Sequence, residues 1–138
     1  MIVDFRNTSR KINNIVITTN NMDETYIWGA YSSSLRFINT GRFNVSGNVV
    51  AMLDYRNLDM ALPEGAFYCL FTSSNVVDAS KLVLPKTKLS RFCFNYLFSN
   101  DDKLVVTPKL EMRENPYGAY NSMFANCKNL MQLNYFSD

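Results

Sequence analysis

Histidine is absent from the 138 residues. That removes imidazole acid–base chemistry, the Ser-His-Asp arrangement and every histidine metal ligand together. Glycine and proline are scarce, at five and four, so turns must lean on Asn, Asp and Ser. Cysteine is sparse and scattered: Cys69, Cys93 and Cys127 lie 24 and 34 residues apart. That spacing lacks the close pairs of a zinc site and gives no disulfide framework, so the three read as free, buried thiols that pack like small hydrophobes. Neither sign of charge dominates. Fourteen basic against twelve acidic residues leave +2, too little to point to nucleic acid or an anionic membrane. The densest basic stretch, Lys81, Lys86, Lys88 and Arg91, reads as a solvated face. No apolar run approaches a membrane span, and the opening MIVDFRNTSRKINN lacks the apolar core of a secretory signal.

What the chain has in excess is aromatic rings. Ten Phe, eight Tyr and one Trp make up 14%, within an ordinary hydrophobic content of 47%. At this length one domain can bury roughly two-thirds of its unfolded surface. The first sixty residues read as a small β region. Asn13–Asn20 is a β-branched run between Asn pairs, and Glu24–Tyr31 is aromatic-rich. Arg36–Asn44 alternates as a half-buried strand does, with Asn39-Thr40-Gly41 and Ser46-Gly47-Asn48 as turn candidates.

From Leu62 onward the pattern repeats. Three segments, AFYCLFTSSNVV, CFNYLFSNDDKL and AYNSMFANCKNL, each end an aromatic cluster in Leu-Phe or Met-Phe. The phenylalanines Phe71, Phe98 and Phe124 are 27 and 26 residues apart, and six residues after each comes Val77, Leu104 or Leu130. A fixed period in the twenties marks a solenoid, in which stacked units supply the core that no unit has alone. The aromatic piece is expected to form a turn or two of helix, the polar piece a loop and the aliphatic piece a strand. Phe71, Phe98 and Phe124 are then expected to be buried as one ladder, with Cys127 buried beside Phe124.

These units resemble the BspA-like leucine-rich repeats found in gut Bacteroidetes, their phages and some protists. The family's aromatic YCYYSMF run followed by GCTSLT is matched best by AYNSMFANCKNL, at Tyr120, Ser122, Met123, Phe124, Cys127 and Leu130. FCFNYLFSNDDKL matches at Cys93, Leu97, Phe98 and Leu104, with Asn100-Asp101 where the family has Gly-Cys. The LPATTL element is matched at Leu84, Pro85, Thr87 and Leu89, whereas the next unit has EMRENPYG instead. Upstream, residues 40–55 are similar to a segment that often precedes such repeats. The resemblance spans about Gly41 to Leu133. It implies an α+β chain: a short leucine-rich-repeat solenoid, strand plus short helical turn per unit of about 26 residues, over 61–138 in some two and a half units. Residues 1–60 precede it as an N-terminal β region or cap.

The family implies adhesion or protein interaction, with no catalytic activity and no cofactor. The acids Asp54, Asp59, Asp101, Asp102, Glu111 and Glu114 offer in principle a glycosidase pair or half a calcium site at Asp101-Asp102. Their turn contexts read instead as solvated acids. Phe67, Phe92, Phe94, Tyr96 and Tyr120 read as core or, for the tyrosines, as rim groups that can stack on glycans or partners. The last residues, LMQLNYFSD, carry apolar groups where a solenoid needs a polar cap. Leu133, Tyr135 and Phe136, with Tyr117, are therefore the candidate partner-binding residues. The expectation is a non-enzymatic structural or attachment protein, a small phage virion component in the capsid or tail. It contacts other virion subunits or its own copies, or a host surface protein or glycan. It is expected to act where it is made or to leave the cell by particle assembly rather than Sec export. The alternative is an adhesion or interaction module at a bacterial cell surface.

Overall fold

The computed structural model describes residues 2–4, 36–38, 41–54 and 56–131. Two short parallel pairings organise the strands. β1 (Ile2–Asp4) pairs with β2 (Arg36–Ile38), Val3 opposite Phe37. β3 (Ser46–Asn48) pairs with β4 (Lys81–Val83), Gly47 opposite Leu82. The strands expected at Asn13–Asn20 and Glu24–Tyr31 lie outside the described residues. Ser46-Gly47-Asn48, read from sequence as a turn, is strand β3, and Gly47 within it takes a positive φ (93°), a departure from extended backbone that glycine adopts without strain. Asn48 accepts the Val50 N–H through its side chain at 2.9 Å, capping the short helix α1 (Ala51–Asp54).

The aromatic segments are not helical turns. Residues 65–74, 92–101 and 118–127 form runs of consecutive β-turns, in which every second N–H closes back on the carbonyl three residues earlier. In the second run these bonds are Cys93 to Ser90, Asn95 to Phe92, Leu97 to Phe94, Ser99 to Tyr96 and Asp101 to Phe98. Every fourth residue adopts positive φ: Gly65, Cys69 and Ser73, then Phe92, Tyr96 and Asn100, then Gly118, Ser122 and Asn126. Those residues stand at the third position of alternate turns, where a type II turn needs that conformation.

The intervening peptide groups stand across the run and join it to its neighbours. Gly65, Phe67, Cys69, Phe71 and Ser73 donate to the carbonyls of Arg91, Cys93, Asn95, Leu97 and Ser99. Phe92, Phe94, Tyr96, Phe98 and Asn100 donate to Tyr117, Ala119, Asn121, Met123 and Ala125. The peptide between Cys93 and Phe94 thus points its C=O at the first run and its N–H at the third. Each backbone N–H along residues 92–101 therefore has a backbone partner, which lets the run be buried without a helix or a sheet. The buried Asn95 side chain is the exception among its polar groups, with neither amide atom paired.

Rings follow the same offset. Phe71, Phe98 and Phe124 stack at 5.2 and 5.8 Å with planes 12° and 10° apart, and Phe67, Phe94 and Tyr120 at 5.9 and 6.1 Å. These separations suit offset aromatic pairs. Phe67, Phe71, Phe92, Phe94 and Phe98 are buried, whereas Phe124 and Cys127, both expected to be buried, are only half-buried. The reason is position: they belong to the last described layer and have a neighbouring run on one side only.

On the opposite edge of each unit the aliphatic segments form a narrower parallel ladder. Val77 donates to Phe43, Val45 to Asp78, Ala79 to Val106, Val105 to Val77 and Met131 to Val105. Residues 43–50 thereby lie directly on the first repeat, with Val49, Val50 and Leu53 in the same buried cluster as Phe67 and Phe71. Aspartates make the tight turns, as the scarcity of glycine requires. Asp54, Asp78 and Asp101 each accept, through a side-chain oxygen, the N–H two residues on.

Candidate interaction surface

The third run presents a face unlike the other two. Its alternate N–H groups, at Gly118, Tyr120, Ser122, Phe124 and Asn126, donate to no acceptor among the described residues, whereas their counterparts in both earlier runs all donate onward. The rings of Tyr120 and Phe124 cover the second run on one side and are half-buried. Leu130, also half-buried, packs against the same core. This surface combines aligned backbone donors with flat apolar rings.

Of the four residues that the sequence nominates for partner binding, Tyr117 lies at the head of this run and is 73% exposed. Its ring meets Phe92 edge-on at 5.5 Å, and the Arg91 guanidinium sits 5.6 Å from both ring centres. That contact orients an exposed aromatic without burying it. Leu133, Tyr135 and Phe136 lie outside the described residues.

The carboxylates weighed for catalysis are separately engaged. Glu111 bridges Lys86 and Lys109 at 2.6 and 3.0 Å, and these contacts hold its carboxyl below the usual range. Glu114 accepts the Lys88 and Leu89 N–H groups, one on each oxygen. Asp59 pairs with Lys88 at 2.8 Å. The basic stretch lies on the exposed face, with Lys86, Lys88 and Arg91 each beside an acid; such pairs contribute about 0–1 kcal/mol. Among the described residues no three His, Cys, Asp or Glu side chains are grouped to hold a metal ion, and no helix there is long and apolar enough to cross a membrane.

One acid departs from its sequence reading. Asp101 is fully buried rather than solvated. It occupies the position of Ser74 in the first repeat and Cys127 in the third, always three residues after the stacked Phe. Its carboxylate accepts from Ser74 Oγ at 3.2 Å, the Lys103 N–H at 3.1 Å and the Val76 N–H. Burial outweighs those donors and pushes its carboxyl up to about 6. Below it, Cys127 donates its thiol to the Phe98 carbonyl at 3.1 Å. All three cysteines are free, and burial raises Cys93 and Cys127 to about 11, so both are held as thiols.

Sequence reasoning missed two features of this surface. The donor row depends on which way alternate peptides face, which side chains do not announce. The buried acid does leave a signal, because Ser74, Asp101 and Cys127 share one offset from Phe71, Phe98 and Phe124. Comparison with known protein families, curated proteins and solved structures finds nothing that matches this chain.

Proposed function

We propose that the chain is a short leucine-rich-repeat-type solenoid of the BspA-like kind. It works without catalysis as a structural or attachment protein, a small component of a phage particle in its capsid or tail. It acts through protein–protein contacts. The observation that carries this reading is the half-buried aromatic layer of Tyr120 and Phe124, with the exposed Tyr117 at the head of the same run. Exposed aromatic groups held rigidly by a stacked scaffold are what an interface core is made from. The motif match at Tyr120, Ser122, Met123, Phe124, Cys127 and Leu130 supports the family assignment, and the 27- and 26-residue spacing supports the repeat.

The alternative is an adhesion module at a bacterial cell surface, favoured by Tyr117 with its stacked Arg91, a pairing suited to a glycan or a host protein. Mass spectrometry of density-purified particles, set against the surface-shaved proteome of the host bacterium, separates the two. The virion reading expects the polypeptide at fixed stoichiometry with capsid or tail proteins. Its recovery from the bacterial surface, with none in particles, overturns that reading in favour of the alternative.

A further inference from the structure

Which partner fits the aromatic end follows from the direction of its peptide groups. In each of the three runs the peptides that stand across the layer are parallel, with C=O toward the first run and N–H toward the third. Their dipoles add along the stack as they do along a helix, leaving partial positive charge at the last row of N–H groups. Gly118, Tyr120, Ser122, Phe124 and Asn126 form that row, spaced every second residue. Polar groups of this kind cannot be covered by an apolar surface without losing their hydrogen bonds to water. A tight partner must therefore bring acceptors at the same spacing.

A second copy of this chain does not supply them. Two copies meeting through this end oppose N–H to N–H. At the other end of the stack the rings of Phe67 and Phe71 are already buried, at 3% and 1% exposure, with Val49, Val50 and Leu53 in the same cluster. Head-to-tail stacking therefore finds its target closed.

We propose that this end is a docking edge for a segment of a different protein, wound in the same consecutive-turn conformation. Nine residues of such a segment present five carbonyl oxygens to the five N–H groups, and a flat aromatic side chain at every fourth position covers Tyr120 and Phe124. The partner thus extends the stack by one layer. The inference rests on the reading of the protein as an interaction module and adds the chemistry of what it takes.

Amide exchange on the full 138-residue chain, at a concentration where it has its monomer mass of 15.9 kDa, provides the test. The amides of Phe94, Tyr96 and Phe98 should be protected, and those of Tyr120, Ser122 and Phe124 should exchange at least about a hundredfold faster. Inserting a second copy of residues 105–130 directly after Leu130 adds a unit in register, and the five amides should then slow by about tenfold or more. A synthetic peptide of residues 105–130, added to the unmodified chain, should slow the same five and leave the second run unchanged. Protection already present in the monomer assigns the edge to another segment of the same chain and overturns the proposal. Protection that tracks dimer formation assigns it to a second copy, with the same consequence. If neither insertion nor peptide slows these amides, the edge takes no layer. Particle composition is blind to all of this, so the virion reading and the docking edge can fail separately.

Discussion

Phe71 and Phe124 hold the same place in the repeat at opposite ends of the stack, and they differ in burial. Phe71 is 1% exposed; Phe124 is half-buried. Both stack on Phe98 at nearly the same distance and tilt. The repeat therefore sets ring geometry, while the neighbouring layer sets burial. At the first end the neighbours are not another repeat. Val49, Val50 and Leu53, from a strand end and the short helix α1, share the cluster. Closing this stack of runs needs apolar bulk at the right height, not a copy of the unit.

Truncation in the middle and at the open end should break this comparison most strongly. Phe98→Ala removes a ring stacked on both faces and should cost about 3–5 kcal/mol. Phe124→Ala removes the equivalent ring with one face covered, and should cost about half as much. Chemical denaturation of both variants checks the pair. Equal losses would mean that Phe124 is covered as fully as Phe98 in solution, and the contrast between ends would disappear.

The Asp101 column sharpens the comparison through pH. Folded, this carboxyl titrates at about 6; an ordinary aspartate titrates at 3.8. The folded state therefore holds the proton more tightly than the unfolded chain. Its contribution is fully present below about pH 3.8 and is lost as pH rises through about 6. Measured against Asp101→Asn, the natural protein should lose up to about 3 kcal/mol of stability between pH 4 and pH 7. The subtraction matters because Asp78 and Glu111, held below their usual range, act in the opposite direction at lower pH. A difference that stays flat with pH would place Asp101 in solvent. Its neighbours Asp102 and Cys127 both carry ionisable groups, so the slope should survive Asp102→Asn and Cys127→Ser.

These residues also show what the sequence makes legible. Ring columns demand a constant offset, so the 27- and 26-residue spacing of Phe71, Phe98 and Phe124 survives in the order of residues and predicts which rings meet. Backbone conformation does not survive so well. Phe92 and Tyr96 adopt positive φ, which bulky residues avoid locally. Besides the turn bonds of their own run, the bonds to the neighbouring runs hold them there, and those join residues some 26 apart. Asp101 misleads for a similar reason, since its polar neighbours in SNDD describe a loop while its burial comes from Ser74 in the previous unit. At the candidate surface, Tyr117 is legible as an unaccommodated aromatic. The donor row is a property of peptide orientation and has no side-chain signature.

Gly118 opens the last run and should tolerate little. It adopts a φ of +68°, and a Cβ there would collide with the Phe92 ring. Phe92 is itself buried against Tyr117 and has little room to withdraw. Gly118→Ala should cost about 2 kcal/mol, from the left-handed backbone and the displaced ring together. In the first run the matching residue is Gly65, also at positive φ, whereas the second run manages with Phe92. Gly118→Ala without a measurable loss would show that the third run is free to shift away from the second, and that the open end is looser than the stack.

The smallest effect on stability should come from the most exposed aromatic. Tyr117 keeps 73% of its surface in water, so replacing it with Ala removes little buried area. What is lost is one edge contact with Phe92 and one face for Arg91, at 5.5 and 5.6 Å. Exposed contacts of this kind contribute about 0.5–1 kcal/mol, and Arg91 retains the Phe92 face and its position near Glu64. Tyr117→Ala should therefore unfold within about 1 kcal/mol of the natural protein. Binding is where the residue should count, because an aromatic already oriented loses little side-chain freedom when a partner covers it. A partner that docks over the third run should lose at least about tenfold in affinity with Tyr117→Ala and recover most of it with Tyr117→Phe. Titration calorimetry with the residue 105–130 peptide reads both variants. Unchanged affinity in the alanine variant would confine docking to Tyr120, Phe124 and the donor row, and leave Tyr117 as a lateral feature of the surface.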